Sequence, residues 1–278
     1  MRCDDNVGFH TYAHTDKPVS MSDTLDMVII GAGLSGIGSA CRYVTEFPDG
    51  KFALLESRDA IGGTWDLFRY PGIRSDSDML TLGYDFRPWP GVKTLASGPA
   101  IKAYVEDTAR EYGIDDHIQF HSRVVGADFD TSTDLWTLTI NDPRDGSQRT
   151  IQTRFVLSCA GYYRYDKGHD PHFDGRDDFA GDIIHPQFWP ENYDYSDKRI
   201  AVIGSGATAV TLVPELAKTA QHVVQVQRTP TYVASLPSED PIMKVTDRLF
   251  SKALSYSINR WKNVKLAGSI SRRAKKNP

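Results

Sequence analysis

Three glycines placed directly behind a short apolar run give this chain its clearest chemical meaning. Gly31, Gly33 and Gly36 stand in GAGLSG immediately after LDMVII, residues 25 to 30. In such a turn the first glycine allows the tight reversal and the second lets backbone approach a pyrophosphate. The third lets the following helix pack on its strand, and the phosphates then sit on the helix N-terminus. The pattern returns as Gly204, Gly206 and Ala209 in GSGATA, behind RIAVI. Glu56 closes another apolar run, Phe52 to Leu55, where a carboxylate can accept hydrogen bonds from ribose hydroxyls. At the matching place in the second unit the chain carries Gln227, Arg228 and Thr229. A cation and a hydroxyl there suit a 2′-phosphate. The chemistry to expect is the binding of two dinucleotides.

Holding those groups requires strand, tight turn and helix, twice over. The first helix is expected to reach about Glu46, the second to end near Lys218 before a strand HVVQVQ. Between the units, IQFHSRVVGADF, DLWTLTI and TIQTRFVLSCAG read as strands broken by the turn NDPRDG. They form a β-meander whose last strand returns the chain, at Ser158 to Gly161, beside the first nucleotide. The fold class is therefore α/β, with two Rossmann-like dinucleotide-binding domains and a β-meander insertion in the first. With an acid only on the first unit, FAD is expected there and NADPH on the second. The domain boundaries expected are a disordered extension over 1–20, an FAD domain over 21–161 and a linker over 162–198. An NADPH domain over 199–235 and the start of a helical segment over 236–278 follow.

Composition narrows the partners. The chain has 278 residues with 32 basic and 36 acidic side chains, a net charge of -4. That balance points to no nucleic acid and no anionic membrane. Cys3, Cys41 and Cys159 lie far apart and form no metal-ligand spacing, so they read as reduced thiols in a cytoplasmic protein. No metal site and no transmembrane segment is expected. Met21 reads as a second possible start, and the basic end SRRAKKNP as either a solvated tail or a cut.

Two further motifs carry a family resemblance. FAGDIIHPQFWP, Phe179 to Pro190, matches the pattern FxGxxxHxxxWP, and five fixed residues in one window make the match specific. GGTWDLFRYPGIRSDSD follows the first unit. With the two glycine turns, these make the chain resemble the FAD-dependent Baeyer–Villiger monooxygenases, in the branch that oxidises ketones and S-oxygenates thioamides. The resemblance runs from residue 22 to about 265.

The resemblance implies that Gly31, Gly33, Ser35, Gly36, Glu56, Gly63, Thr64, Trp65, Asp76 and Val124 serve FAD. Asp76 would lie near the isoalloxazine and orient an arginine. Arg74, Ser75, Gly204, Ser205, Gly206, Ala207, Thr208, Arg228 and Thr229 would serve NADP. His185 would act conformationally in the linker, not as a base or a metal ligand. The reaction implied is reduction of FAD by NADPH, addition of dioxygen at flavin C4a, and attack of the resulting (hydro)peroxyflavin on a ketone, or on sulfur or nitrogen. The family's catalytic arginine would lie in sequence this chain lacks, so the chain is expected to be about half of a family member. Exposed apolar sheet surface, poor solubility and weak FAD retention are then expected.

Alternatives remain at this point. A flavin enzyme acting on amines or sulfides shares both glycine turns. A nucleotide-binding remnant without turnover fits the missing arginine. A disulfide reductase would need a redox cysteine pair that Cys41 does not supply. Oligomeric state and substrate identity are not legible.

Overall fold

The computed structural model describes residues 24–231, 233 and 237–276. The expected extension over 1–20, Met21 and Cys3 lie outside the described residues. Along the chain run β1 (Leu25–Ile30), α1 (Leu34–Glu46), β2 (Phe52–Leu55), α2 (Thr64–Leu67), α3 (Met79–Leu82) and α4 (Gly98–Glu111). Then follow β3 (Ile118–Gln119), β4 (Arg123–Asp130), β5 (Leu135–Asn141), β6 (Gln148–Ser158), β7 (Arg199–Ile203), α5 (Ala207–Leu216), β8 (His222–Val226), α6 (Pro241–Leu249) and α7 (Lys252–Lys276). Two compact units result. One takes in the chain up to Gly63 and Val105–Gly161, the other Thr64–Tyr104 and the chain from Tyr162 onward. These limits differ from the sequence boundaries, because Thr64–Tyr104 groups with the second glycine turn.

The first unit is built on one sheet of order β3-β2-β1-β6-β5-β4. β1 lies parallel to both β2 and β6, whereas β4, β5 and β6 form the expected antiparallel meander. Thr153, fully buried, is the pivot: it is opposite Trp136 in the antiparallel ladder and opposite Leu25 in the parallel one. β2 is buried at every position, as a strand covered on both faces must be. α1 turns Gly36, Ile37, Ala40, Cys41 and Tyr43 inward, and Pro48 prevents its continuation. Val28, Ala53, Leu55, Leu138 and Ile140 join the parallel and antiparallel halves in one core. Full burial of each large aliphatic side chain there contributes about 1.5–3 kcal/mol.

One sequence expectation is corrected here. IQFHSRVVGADF is not a single strand: it breaks into β3, parallel to β2, and β4, the first meander strand. His121, at φ 53°, turns the chain. Its N–H donates to the Arg58 carbonyl (3.1 Å), and that of Ser122 to the Glu56 carbonyl (2.8 Å). Alternating apolar residues cannot reveal such a break, because both halves are genuinely extended.

In the second unit, β7 and β8 form a two-stranded parallel sheet. α5 packs Leu212 and Leu216 against Phe68 and Tyr70, with Ile200, Val202 and Trp189 around them. α6 starts at Asp240, whose carboxylate accepts from the N–H groups of Ile242 (2.9 Å) and Met243 (3.1 Å). The Lys262 ammonium of α7 holds the other carboxylate oxygen (2.5 Å), and Asn259 donates to Thr246 (2.8 Å). The basic end that could have been a tail is helical through Lys276. Exposed apolar sheet surface occurs as expected, at Phe155 and Leu157 on β6 and at Ile203, Val224 and Val226 on β7 and β8.

Candidate functional site

The first glycine turn is held from several sides. Gly31 adopts φ +102°, and a Cβ there would lie 2.6 Å from the Cys159 carbonyl oxygen. At Gly36 a Cβ would lie 1.7 Å from the Gly31 carbonyl oxygen, so the third glycine is required for the helix to close on the turn. Gly33 is the extended N-cap of α1, with no side-chain cap on the helix. A Cβ there would stand 3.6 Å from Gly63 Cα, an ordinary contact. Exposed Ser35 stands in that first helical turn, the place where a helix N-terminus receives an anion.

Glu56, 4% exposed, does more than end a strand. One carboxylate oxygen accepts from the Ala32 N–H inside the turn (2.8 Å), the other from the Arg58 N–H (2.9 Å). The Ser57 hydroxyl also donates to the oxygen held by Arg58 (3.2 Å), so the oxygen on Ala32 is the one that keeps a second acceptor position, and the carboxylate is aimed before any ribose arrives. Gly62 and Gly63, both at positive φ, run along the same turn, and the Gly62 N–H donates to the Ala32 carbonyl (3.0 Å). Val124 stands further off, half-buried against the core of the unit beside an irregularity in the β4–β5 register. Burial pushes the Cys159 thiol above its usual range, so it stays a neutral thiol beside Ser39. Among the described residues, neither Cys41 nor Cys159 forms a disulfide.

The second glycine turn looks different. Gly204 takes φ +134°, but neither it nor Gly206 has any atom within 4 Å of a built Cβ. Gly206 is the extended N-cap of α5, again without a side-chain cap. Among the described residues nothing demands a glycine at 206, which fits a demand made by a ligand's phosphates. Ala209 is buried in the third place of the motif, and Ala207 and Thr208 open the helix. Arg228 and Thr229 are exposed after β8.

The unit with the second turn also holds most of the loop expected to cover the flavin. Thr64 and Trp65 begin α2, both half-buried. Asp66, which the sequence reading passed over, is 2% exposed and receives the Lys102 ammonium at 2.7 Å. A lone acid inside a motif gives no signal of burial, so nothing in the spacing could have found it. Gly72, at φ +78°, lies against α5, where a Cβ would be 3.2 Å from Glu215 and 3.3 Å from Thr211. Burial pushes the Tyr70 phenol above its usual range, the nearby Thr208 hydroxyl working against it. The arginine facing Asp76 is Arg74, at 3.8 Å, with both side chains half-exposed. Ser75 is buried, and its hydroxyl is engaged inside the loop: it donates to the Ser77 carbonyl and accepts from the Ser77 N–H.

The linker motif has a local explanation. The exposed Phe179 ring folds over Gly181, where a Cβ would lie 2.7 Å from the ring edge. His185 caps a 3-10 turn over Pro186–Phe188, its Nδ1 accepting from the Gln187 N–H (3.2 Å). Its ring rests on Gly168, and Gln187 donates to the Arg164 carbonyl (2.7 Å). These contacts hold the His185 ring within its own segment. Trp189 belongs to the apolar cluster around α5.

Two family models match the chain: Flavin-binding monooxygenase-like over residues 94–271, and NAD(P)-binding Rossmann-like domain over residues 29–90. The FAD-containing monooxygenase EthA of Mycolicibacterium smegmatis is 49% identical over 259 residues, covering 93% of this chain and 52% of that relative. The solved structure of OTEMO in complex with FAD and NADP is 32% identical with a TM-score of 0.70, covering 85% of this chain and 44% of that one. Cyclohexanone monooxygenase bound to epsilon-caprolactone is 26% identical with a TM-score of 0.71, over 84% of this chain and 45% of that one. The chain thus spans about half the length of the curated relatives it matches.

Proposed function

Because the chain belongs to the flavin-binding monooxygenase family, we propose that it forms the nucleotide-binding part of an FAD- and NADPH-dependent monooxygenase. The whole protein inserts one oxygen atom of dioxygen into ketones in the Baeyer–Villiger manner and oxygenates sulfur compounds. The observation that carries this reading is the first glycine turn, closed on Cys159 and held by Glu56 at the N-terminus of α1.

When bound, FAD and NADPH supply the redox chemistry, hydride from the nicotinamide and activation of dioxygen at the flavin. The protein's residues bind and orient. Gly31, Gly33, Ser35 and Gly36 receive the FAD diphosphate at the N-terminus of α1, and Glu56 accepts from ribose hydroxyls. Gly63, Thr64, Trp65 and Val124 would complete the FAD contacts, and Asp76, 3.8 Å from Arg74, would orient that arginine. Gly204 to Thr208 receive the NADPH diphosphate at the N-terminus of α5. Arg228 and Thr229 take the 2′-phosphate, where a planar cation is worth most. Arg74 and the backbone at Ser75 serve the same nucleotide. His185 fixes the linker path that couples nucleotide binding to conformation. A cytoplasmic setting is supported by Cys41 and Cys159, neither of them in a disulfide among the described residues.

The test is titration of the chain with FAD, followed by NADPH or NADH without air, while flavin absorbance is recorded. Saturable flavin binding and bleaching that favours NADPH are expected. Absence of flavin binding, or equal bleaching by NADH, would overturn the assignment. In the full-length protein, product analysis with a ketone and a sulfide separates the Baeyer–Villiger reading from an enzyme of amines and sulfides alone.

A further inference from the structure

α2 cannot hold its own orientation. It is a single turn, Thr64–Leu67, closed by the Phe68 N–H on the Thr64 carbonyl (3.1 Å). One turn is not stable by itself in water, because fixing its dihedrals costs more than one hydrogen bond returns. It also follows Gly62 and Gly63, both at positive φ, where the backbone is freest to take another path. The direction of α2 is therefore set by what its side chains meet.

Asp66 meets the most. Its side chain is 2% exposed, and the Lys102 ammonium stands 2.7 Å from its Oδ1. Lys102 lies on α4 between Ile101 and Tyr104, both buried, and the Tyr104 hydroxyl accepts from the Tyr84 N–H (2.9 Å). The cation thus comes from a well-anchored element. Arg69 closes the other side: its Nε donates to the Asp66 carbonyl (3.2 Å), and its Nη2 is 3.6 Å from Oδ1. Its Nη1 donates to Glu191 (2.6 Å), the residue after Trp189 and Pro190 of the linker motif. Charges of alternating sign, Lys102, Asp66, Arg69 and Glu191, so join α4, α2 and the linker within one unit.

A buried ion pair is a poor source of stability, since well-packed apolar side chains of the same volume serve at least as well. What the pair adds is direction. A carboxylate held on an ammonium fixes the rotation of its turn, and at about 100° per residue that fixes where Thr64 and Trp65 point.

We propose that Asp66, held by Lys102, is a positioning residue for the flavin, which rests on FAD being the ligand of Thr64 and Trp65. It sets the rotation of α2 and thereby presents the Trp65 ring and the Thr64 hydroxyl to the cofactor.

The test is time-resolved fluorescence of FAD titrated into the chain, which separates bound from free flavin. An indole in contact with the isoalloxazine quenches it, so Trp65→Phe gives the unquenched level. Asp66→Leu with Lys102→Met exchanges the pair for apolar groups and should keep a cooperative melt. Bound-flavin fluorescence should nevertheless rise severalfold, towards the Trp65→Phe level, and FAD affinity should fall about tenfold. Asp66→Asn should behave likewise, whereas Lys102→Arg, which keeps a cation on Asp66, should stay near the wild-type chain. A pair that only held the fold would lose nothing in the apolar variant. Wild-type quenching and affinity in that variant, once folded, therefore overturn the proposal. If it does not melt cooperatively, Asp66→Asn against Lys102→Arg carries the test, and equal quenching in those two overturns it. Bound flavin that Trp65→Phe leaves unchanged also overturns it while the FAD site stands. No flavin binding by the wild-type chain removes the FAD reading itself, and the proposal with it.

Discussion

The two glycine turns share a sequence pattern and differ in what surrounds them. The first is walled by the protein: β6 runs beside β1 and brings the Cys159 carbonyl against Gly31, and Glu56 grips Ala32. The second stands at the end of a two-stranded sheet, with open space at both Gly204 and Gly206. A motif glycine can therefore be kept for the fold or kept for the ligand, and the same letter hides which. The difference also predicts that the first turn is preformed whereas the second takes its final shape from the nucleotide.

The largest contrast is expected from alanine at matching places. Gly36→Ala sets a methyl against the Gly31 carbonyl and should destabilise the first unit by about 3 kcal/mol, with loss of flavin binding. Gly206→Ala should cost about 1 kcal/mol or less in chemical denaturation, yet weaken NADPH about tenfold. Equal loss of stability in both would erase the distinction.

A smaller effect should sharpen the part played by Glu56. Glu56→Gln keeps the shape but sets an amide NH2 where one oxygen now accepts, facing either the Ala32 or the Arg58 N–H. Stability should fall by about 1–3 kcal/mol and FAD affinity about tenfold, with NADPH affinity unchanged in fluorescence titrations. A matching drop in NADPH affinity would count against a role local to the first turn.

The smallest contrast lies in pH. Burial against Phe52, on which its ring stacks at 4.3 Å, holds the His117 imidazole below its usual range. The fold favours neutral His117, so its contribution is present above the unfolded value of about 6.5 and lost as pH falls through the lower folded value. Asp240 titrates elsewhere. Burial pushes its carboxyl up, but Lys262 and the N–H groups of Met243 and Ile242 outweigh this and hold it below its usual range. Its contribution is present above about 3.9 and lost as pH falls through the folded value. Hydrogen exchange across a pH series should show the first unit loosening below about 6.5 and the α6–α7 pair only below about 4. Simultaneous loosening would contradict the assignment of these two groups.

Much of this was legible without coordinates. Strand, turn and helix at both glycine motifs follow from local rules: β-branched runs before, helix formers after, glycines where φ turns positive or backbones meet. β2 and β7 fall where the sequence places them, α1 ends at Glu46, and the NDPRDG turn joins β5 to β6.

What the sequence could not supply depends on residues distant along the chain. The break at His121 is set by hydrogen bonds to Arg58 and Glu56, more than sixty positions away. The grouping of Thr64–Tyr104 with the second turn rests on Gly72 and Tyr70 packing on α5, a contact without any sequence period. Asp66 meets Lys102. Local conformation is dictated by neighbours in sequence, so glycine, proline and alternation announce it. Which side chains are walled in, paired or left bare depends on distant segments, and that was decided only when the chain folded.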